Sequence, residues 1–475
     1  MSRSSAPVSI GLDLGTSGLK AVALTVSGEV VGRARSDYPT NRPEPGAAEH
    51  STADWRTALE SVLEALGRQT EPRQWLSIGL SAMLPTLVRL DGRREPIEPA
   101  VTWEDNRAAA EAADFIAAHG LERIYRATGQ YLDARYLLPM YDRCPVEGTT
   151  IAAAKDYLFL LLTGELATDP STAAGYGVFA LDSGSWDRDL ATGLRLPPVL
   201  PSSTSAPLRT ELAVRFGCAT DLPVVLGGAD SVLGALGLGV SRQGDVAYVA
   251  GSSTVILSHS ESLLLDDRMR YIVTPMATEG FGLEMDLLST GSAFGWLARL
   301  LNLQGGVLEL MRLAERGDAL AEPIFLPYVA PGEQGALWDD TLTGTLSGLT
   351  LRTEPADLAR ALVSGIVLES RRCFAVLDAD GARRHGIVRV TGRSVASGLM
   401  RQDLADATGR VIEYVENETD HSAVGAALLA GNVICQWPLS IEWPVVVTEP
   451  RAERHQRWAD LAAGHDELRL RLEKR

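Results

Sequence analysis

The chain has 475 residues, of which 45% are hydrophobic and 22% are charged, and its formal net charge is −17. This length exceeds what one hydrophobic core normally supports, so we expect two or three domains. The acidic balance argues against a nucleic-acid partner, and the four scattered cysteines, with no CxxC pair, indicate neither a disulfide framework nor a zinc site.

The sequence carries no sign of export or of membrane insertion. Its first residues lead directly into an apolar strand pattern at Val8, and the cysteine usage is typical of a reducing compartment. The longest apolar stretch, 224–240, contains Asp230 and five glycines, so it predicts a buried strand and a helix instead of a membrane span. We therefore expect a cytoplasmic protein with no membrane partner.

The first predicted element is a hairpin from Val8 to Leu24. Two apolar runs flank Asp13 and a turn that begins at Gly15. The turn glycines let backbone N–H groups converge beside small hydroxyls, which is typical of an anion site. A carboxylate beside bound phosphate indicates Mg²⁺ between them, since Mg²⁺ binds through one or two carboxylates plus substrate phosphates. An ordinary surface hairpin with a solvated Asp13 is the alternative, and this stretch alone leaves both open.

Strands then alternate with helices, which favours α/β layers. In chain order, we predict a strand over 30–34, a helix starting near Thr52, a strand over 76–80, a helix ending at Gly120 and a helix over 151–162.

A buried strand over 224–226 runs into a glycine turn, and a helix begins at Asp230. The turn lacks the GxGxxG spacing, and the chain contains no GxxxxGK[ST], so neither a dinucleotide fingerprint nor a P-loop is indicated. Asp230 is either an N-cap or first-turn residue of the helix, or a general base facing a cleft. The motif alone favours the cap.

A second segment, 246–258, repeats the layout of strand, Gly-Ser-Ser-Thr turn and strand. Its glycine, Gly251, lies 236 positions after Gly15 (251 − 15). This repeat suggests two related domains, 1–240 and 241–475, with a nucleotide in the cleft between them. The tail over 453–475 predicts a charged amphipathic helix that packs on a domain or contributes to a homodimer.

Seven motifs occur in an order and spacing that resemble the FGGY family of carbohydrate kinases. They span about residues 8 to 435 and read GLDLGTSGLKAV, WEDNRA, DYLFLLLTGE, GGADSVLGALGLG, LPYVAPGE, RVTGRSVASGLMRQDLAD and AVGAALLAG. The resemblance implies an α/β fold of two actin-like (ribonuclease-H-like) domains with a nucleotide and sugar cleft between them. It also implies ATP-dependent phosphorylation of a sugar or polyol hydroxyl, with Mg²⁺ as cofactor and a pentulose as the favoured substrate.

The resemblance assigns roles to single residues. Asp230 would be the catalytic base, and Asp13 would hold Mg²⁺ directly or through water. The phosphate and nucleotide contacts would come from Gly15, Thr16, Ser17, Gly251, Ser252, Ser253 and Gly392. The sugar contacts would come from Met83, Trp103, Asp105, Arg107 and Asp230. An Asp105–Arg107 surface pair with Trp103 in the core is the alternative for the last set.

The predicted sugar loop departs from the family pattern. Residues 81–86 read SAMLPT, where xylulokinases usually read SGQMHG, so Met83, Leu84 and Pro85 replace Gln, Met and His. Two polar side chains are therefore missing, and the resemblance leaves the identity of the sugar open. Two other functions are weighed against a kinase: a non-catalytic sugar or nucleotide sensor on the same fold, and a nicotinamide-dependent oxidoreductase suggested by the glycine turns.

Overall fold

A computed structural model of the chain describes residues 4–317, 323–330, 333–339, 341–379, 386–416 and 419–473. Within these ranges the chain forms two halves, each built on one large mixed sheet. The first sheet uses strands up to residue 229, and the second begins at residue 246. The predicted boundary at 240/241 falls between them and stays a prediction.

The strands of both halves follow in chain order. In the first half they are Val8–Gly15 (β1), Gly18–Leu24 (β2), Val30–Asp37 (β3), Glu49–His50 (β4), Trp75–Ala82 (β5), Thr86–Leu90 (β6), Pro96–Thr102 (β7), Thr150–Ala153 (β8), Phe179–Ala180 (β9), Ser185–Trp186 (β10), Ser205–Pro207 (β11) and Pro223–Ala229 (β12). In the second half they are Val246–Ala250 (β13), Thr254–Ser260 (β14), Ile272–Pro275 (β15), Phe281–Leu287 (β16), Ile324–Leu326 (β17), Glu333–Gln334 (β18), Leu337–Trp338 (β19), Thr345–Ser347 (β20), Val388–Gly392 (β21), Ile412–Val415 (β22) and Val445–Thr448 (β23).

The helices cover the sheets and connect the two halves. In chain order they are Thr52–Gln69 (α1), Ala109–His119 (α2), Leu121–Thr128 (α3), Leu137–Arg143 (α4), Ala154–Thr163 (α5), Pro170–Ala174 (α6), Thr210–Phe216 (α7), Asp230–Gly237 (α8), Gly291–Leu300 (α9), Gly306–Ala314 (α10), Pro355–Ala379 (α11), Gly398–Thr408 (α12), His421–Cys435 (α13) and Ala452–Glu473 (α14). None of the helices in the described ranges combines the length and apolarity needed to cross a membrane.

The two main sheets share one strand order. The first runs β11-β12-β5-β1-β2-β3, and the second contains β23-β22-β21-β13-β14-β16. In the first sheet β1 pairs antiparallel with β2 and parallel with β5, and β13 repeats this with β14 and β21. The repeat seen in two short glycine turns thus extends to whole sheets, which is the arrangement expected of two actin-like domains.

Two helices cross at the junction between the halves. α13 of the second half packs against β1 and β5 of the first sheet and against α8. Glycines allow this close approach, because a Cβ on Gly425 would lie 1.9 Å from the Leu233 carbonyl oxygen and one on Gly237 would lie 2.0 Å from that of His421. The crossing brings the first residue of α8, Asp230, close to the first turn of α13.

One predicted helix begins as a strand. The run over 151–162 was predicted to be a single helix, but Thr150–Ala153 pairs with β6 as β8, and α5 begins at Ala154. A continuous apolar run has no periodicity that separates a buried strand from a buried helix. The pairing partner, which lies 60 residues earlier in the chain (150 − 90), decides the outcome.

The C-terminal helix α14 packs on its own half of the molecule. Trp458 and His465 are buried, and His465 Nε2 lies 3.3 Å from the carbonyl oxygen of Phe325 on β17. This packing accounts for the apolar positions of the predicted tail helix. Assembly into a homodimer stays a prediction.

Candidate active site

Asp13 is buried on β1, and its carboxylate has partners on two other strands, β5 and β2. Oδ1 accepts a hydrogen bond from Ser81 Oγ on β5 at 2.7 Å. Lys20, which pairs with Asp13 across the first hairpin, places Nζ 3.9 Å from Oδ2. The same Nζ lies 2.6 Å from Oδ2 of Asp420, the residue before α13. Lys20 therefore bridges one carboxylate from each half of the molecule.

Negative charge dominates the surroundings of Asp13. Burial raises the pKa of Asp13 to about 8, with further increases from Asp420 and Asp230 and an opposing effect of Lys20. Among the described residues, no group of three or more His, Cys, Asp or Glu side chains could hold a metal ion. Mg²⁺ commonly takes only one or two carboxylates and completes its shell with phosphates and water. Asp13 therefore fits as the protein ligand of a cation shared with a nucleotide.

Asp230 is the first residue of α8 and directly follows β12. Ala229 occupies the N-cap position, and Asp230 is an acidic residue in the first turn, which the structural alternative also allowed. The carboxylate accepts a hydrogen bond from the Ser231 N–H at 2.9 Å. Burial raises the pKa of Asp230 to about 7; the Ser231 N–H opposes this increase and the charge of Asp420 adds to it. A carboxyl group with a pKa near neutrality is suited to accept a proton during a reaction.

A cavity of about 460 Å³ lies between the two halves. Its wall includes Thr16, Trp103 and Asp230 from the first half and Gly251, Gly392 and Asp420 from the second. This volume lies within the range of small-molecule sites. Asp13 is connected to the wall through Lys20 and Asp420. Asp230 thus lies on the wall of the cavity, whereas Asp13 lies behind the wall and close enough to Asp230 for their charges to interact.

The first glycine turn reaches the cavity through Thr16. Its Oγ1 accepts a hydrogen bond from Trp103 Nε1 at 3.0 Å, which joins the turn to the predicted sugar side. The carbonyl oxygen of Gly15 accepts from Tyr38 OH at 2.5 Å. Ser17 is exposed, and its Oγ accepts from Arg35 Nη2 at 3.2 Å. Of the three predicted phosphate contacts in this turn, Thr16 is therefore the one on the cavity wall.

The second glycine turn joins β13 to β14 as predicted. Gly251 and Ser253 line the cavity, whereas Ser252 is exposed beside it. The carbonyl oxygen of Ser252 accepts hydrogen bonds from the N–H groups of Thr290 and Ser292 at 3.3 and 3.0 Å. These bonds fix the turn against the start of α9.

Gly392 ends β21 on the wall of the same cavity. It pairs with Ala250 of β13 and has φ of +113°, and a Cβ at this position would lie 2.0 Å from the Ala250 carbonyl oxygen. Only glycine, which has no Cβ, accommodates this close contact with Ala250. The wall beside the second glycine turn therefore carries no side chain at Gly392. Thr391, which precedes it, lies on the wall as well.

Two predicted sugar contacts, Asp105 and Arg107, are engaged elsewhere. The Asp105 carboxylate is 2% exposed and accepts a hydrogen bond from the Ala48 N–H at 2.9 Å. Arg107 pairs with Asp105 at 2.7 Å and with Glu49 at 2.6 Å. Both residues border a separate hollow. The pair therefore braces the loop before α2. Because Asp105 is buried and Trp103 reaches the cavity wall, the alternative of a surface pair with Trp103 in the core does not describe it either.

Met83, another predicted sugar contact, does not line the cavity either. Its side chain is 2% exposed in the core of the first half, while Leu84 and Pro85 line the cavity in its place. Trp103 does reach the wall. Leu84, Pro85 and Trp103 therefore form an apolar surface on the first-half side of the cavity.

Several polar residues of the cavity wall were not predicted from the sequence. Glu284 and Asp286 alternate along β16, and Glu284 Oε2 accepts a hydrogen bond from Ser231 Oγ at 2.9 Å across the junction. Gln130 and Arg135 line the wall from the loop after α3. The i, i+2 spacing of the two acids indicates that both side chains lie on one face of a strand. The spacing does not show whether that face lines a cavity or is exposed to solvent. Asp420 could also have been noticed, because an Asp directly before a predicted helix is a typical N-cap residue.

Comparisons with known proteins match both halves of the chain. The N-terminal domain model of the FGGY family of carbohydrate kinases matches residues 8–237, and its C-terminal domain model matches residues 246–432. A xylulose kinase from Escherichia coli (strain K12) is 30% identical over 436 residues, which cover 89% of each chain. A glycerol kinase from Trichlorobacter lovleyi is 30% identical over 491 residues, covering 94% of this chain and 97% of its own. A solved xylulose kinase structure from Rhodospirillum rubrum is 27% identical with a TM-score of 0.89, covering 98% of this chain and 99% of its own.

Proposed function

Since the chain belongs to the FGGY family of carbohydrate kinases and is an ATP-dependent sugar kinase, we propose that its acceptor is an uncharged ketose or polyol, with a pentulose such as xylulose as the first choice. This membership argues against the oxidoreductase alternative, and the acceptor assay described below tests the sensor, which was predicted on the same fold. The relatives named for xylulose and glycerol are equally similar to this chain, and both of those acceptors are uncharged. The observation that carries the proposal is the set of carboxyl groups on the cavity wall near Asp230.

Glu284 and Asp286 place two further carboxyl groups on the cavity wall near Asp230. Burial raises the pKa of Glu284 to about 8, and the charges of Asp286 and Asp230 add to this increase. Burial also raises the pKa of Asp286 to about 6, and Arg135 opposes both shifts. A sugar acid would bring another negative charge into this environment. Hydroxyl groups, in contrast, can donate to carboxylates and accept from protonated carboxyls, which supports an uncharged acceptor.

The apolar part of the wall suits the carbon skeleton of such an acceptor. Leu84, Pro85 and Trp103 face the cavity from the first half, and Ile272 faces it from the second. An aromatic face packs well against the C–H groups of a polyol. The carbon skeleton of the acceptor would therefore contact these apolar residues, and its hydroxyl groups would contact the carboxyl groups on the wall.

In the proposed reaction Asp230 removes the proton of the attacking sugar hydroxyl. The oxygen then attacks the γ-phosphorus of ATP, and ADP leaves from the opposite side, so catalysis depends on positioning and on charge stabilisation. The turns at Gly15–Ser17 and Gly251–Ser253, and Gly392, would hold the phosphates and the nucleotide. Mg²⁺, when bound, neutralises phosphate charge, and Asp13 would hold it directly or through water.

Acceptor charge is the first property to measure. We expect D-xylulose, D-ribulose or glycerol to stimulate ADP release, and kcat/KM for D-gluconate to be at least about 100-fold lower, because like charges in a binding site cost several kcal/mol. A coupled ADP-release assay with ATP, Mg²⁺ and each acceptor measures this, and the rate without acceptor gives background hydrolysis. A preference for gluconate would contradict the proposal, as would a rate that no uncharged acceptor raises above background.

The rate should also depend on the ionisation of Asp230. A base must be deprotonated to act, and burial raises the pKa of this carboxyl to about 7. We therefore expect kcat/KM for the acceptor to rise about tenfold per pH unit below pH 7 and to level off above it. Steady-state rates between pH 5.5 and 9, with re-assay at pH 8 to check enzyme integrity, measure the profile. A flat profile across this range would argue against Asp230 as the base.

A further inference from the structure

The strand β12 is irregular just before it reaches Asp230. Its parallel pairing with β5 shifts register between Val225 and Gly228, so Leu226 and Gly227 fall outside the regular ladder. A β-bulge next to a functional site changes the direction of the side chains that follow it. Here the side chain that follows is the proposed catalytic base.

A buried polar cluster forms hydrogen bonds with the backbone of β12 at this irregularity. Its members are Lys155, Asp156, Asp169, Ser171 and Ser202. Lys155 Nζ donates a hydrogen bond to the carbonyl oxygen of Leu226 at 3.4 Å. Ser171 Oγ accepts a hydrogen bond from the N–H of Ala229 at 2.9 Å. Both contacts fall within four residues of Asp230 (230 − 226), on the strand that carries it. The cluster therefore fixes the backbone within the bulge, at Leu226, and directly after it, at Ala229.

The members of this cluster are joined to one another by charge and hydrogen bonds. Lys155 Nζ lies 3.1 Å from Asp156 Oδ1 and 3.2 Å from Asp169 Oδ1. Asp169 Oδ2 accepts from Ser171 Oγ at 2.5 Å, from Ser171 N at 2.9 Å and from Ser202 Oγ at 3.2 Å. The most exposed of the five, Ser202, has only 5% of its surface accessible.

Stability alone is a weak explanation for this cluster. Buried ion pairs are often no better for stability than apolar side chains of similar volume, because removing charges from water is costly. Such a cluster does, however, fix donors and acceptors in definite directions. The wall of the cavity at this point is formed by Ala229 and Asp230, so the cluster acts on the site through the backbone of β12.

We propose that Lys155, Asp169 and Ser171 are positioning residues that hold the irregular end of β12 and so fix the direction of the Asp230 carboxylate. Lys155 and Ser171 hold the backbone directly, and Asp169 holds both of them. The inference rests on the proposed role of Asp230 as the base. It extends that role to side chains that do not contact the substrates.

Two serines on the same carboxylate provide a matched test. Ser171→Ala removes the acceptor of the Ala229 N–H, whereas Ser202→Ala removes only a side-chain hydrogen bond to Asp169 and keeps the Ser202 carbonyl oxygen, which accepts from the Gly227 N–H of β12. Lys155→Met would leave two carboxylates in the core without their cation and would unfold the protein, so the milder serine variants are used. The readouts are kcat and KM with D-xylulose and ATP, thermal stability, and amide hydrogen exchange of the segment 224–233.

We expect Ser171→Ala to lower kcat about 10–100-fold relative to Ser202→Ala, since small displacements of reacting groups are this costly. The KM for ATP and the melting temperature should be similar in the two variants. Exchange over 224–233 should be faster in Ser171→Ala alone. Equal kcat values within about threefold, or equal exchange in the two variants, would overturn the inference.

Asp230→Asn in the same assay separates this inference from the proposed function. If Asp230→Asn is inactive while the two serine variants behave alike, the positioning inference is overturned and the base assignment stands. If Asp230→Asn retains wild-type activity, the base assignment fails. The positioning of β12 is then decided by the exchange measurement, which does not depend on turnover.

Discussion

Asp230→Asn should lower kcat by about 10²–10⁴-fold while ATP binding stays near the wild-type value. The reason is that asparagine keeps the size of the side chain and its hydrogen bond from Ser231 but cannot take the proton of the sugar hydroxyl. Steady-state kinetics with the best acceptor of the panel, together with calorimetric titration of ATP, measure the two effects separately.

Glu284→Gln is the matched control for that substitution. It removes a second buried carboxyl group from the same wall, and this group accepts a hydrogen bond from Ser231 Oγ. We expect its main effect on the KM for the sugar, with kcat lowered far less than in Asp230→Asn. Equal losses of kcat in the two variants would mean that the cavity needs negative charge in general. Substantial activity in Asp230→Asn would mean that another group takes the proton.

Asp13→Asn should lower kcat/KM for Mg²⁺–ATP by about 100-fold or more, and at the same time stabilise the protein without nucleotide. The kinetic loss follows from removing the proposed cation ligand, because charge neutralisation at phosphate is worth several kcal/mol. The stabilisation follows from linkage. Since the folded state raises the pKa of Asp13 to about 8, its ionised form costs stability as pH rises above the ordinary carboxyl range.

The melting temperature at pH 9 without nucleotide tests this account, because Asp13 is then ionised in wild-type protein. Asp13→Asn should melt above the wild type, and Lys20→Met should melt below it, since Lys20 is the cation between Asp13 and Asp420. A lower melting temperature for Asp13→Asn combined with an unchanged Mg²⁺ requirement would indicate a structural role for this carboxylate. Opposite shifts in the two variants would support a site built to receive a cation.

The features predicted correctly from the sequence are those that depend on residues close together in the chain. The first hairpin and the strand–turn–helix at Asp230 each lie within about 20 residues, and their glycines mark the turns directly. The repeat between Gly15 and Gly251 also needed only two short segments. It correctly indicated two sheets with one shared strand order.

The residues expected to contact the sugar were predicted less well, because the positions of their side chains depend on tertiary contacts. Asp105 and Arg107 have side chains suited to hydroxyl groups, but Ala48 and Glu49 on β4 and its preceding loop engage them. Met83 follows a strand in which nearly every residue is buried, so strand alternation gives no indication of which neighbour faces the cavity. In both cases a partner distant in the chain decides the direction of the side chain.

The acid pair on β16 and the cluster around Lys155 illustrate the same limit. Glu284 acquires its role only when the junction brings Ser231 beside it. Lys155 lies in an apolar run, where a single lysine is normally expected to extend to solvent. Its burial depends on Asp169 and on the irregular end of β12, neither of which is near it in sequence.

The most direct test of the central claim follows the γ-phosphate itself. In a rapid-quench single turnover with [γ-³²P]ATP, Mg²⁺ and saturating D-xylulose, our account predicts that the label appears in a sugar phosphate ester, at a rate that Asp230→Asn lowers by about 10²–10⁴-fold. Label released as inorganic phosphate at the same rate with or without any uncharged sugar would contradict transfer to an uncharged sugar hydroxyl in the cavity between the two halves.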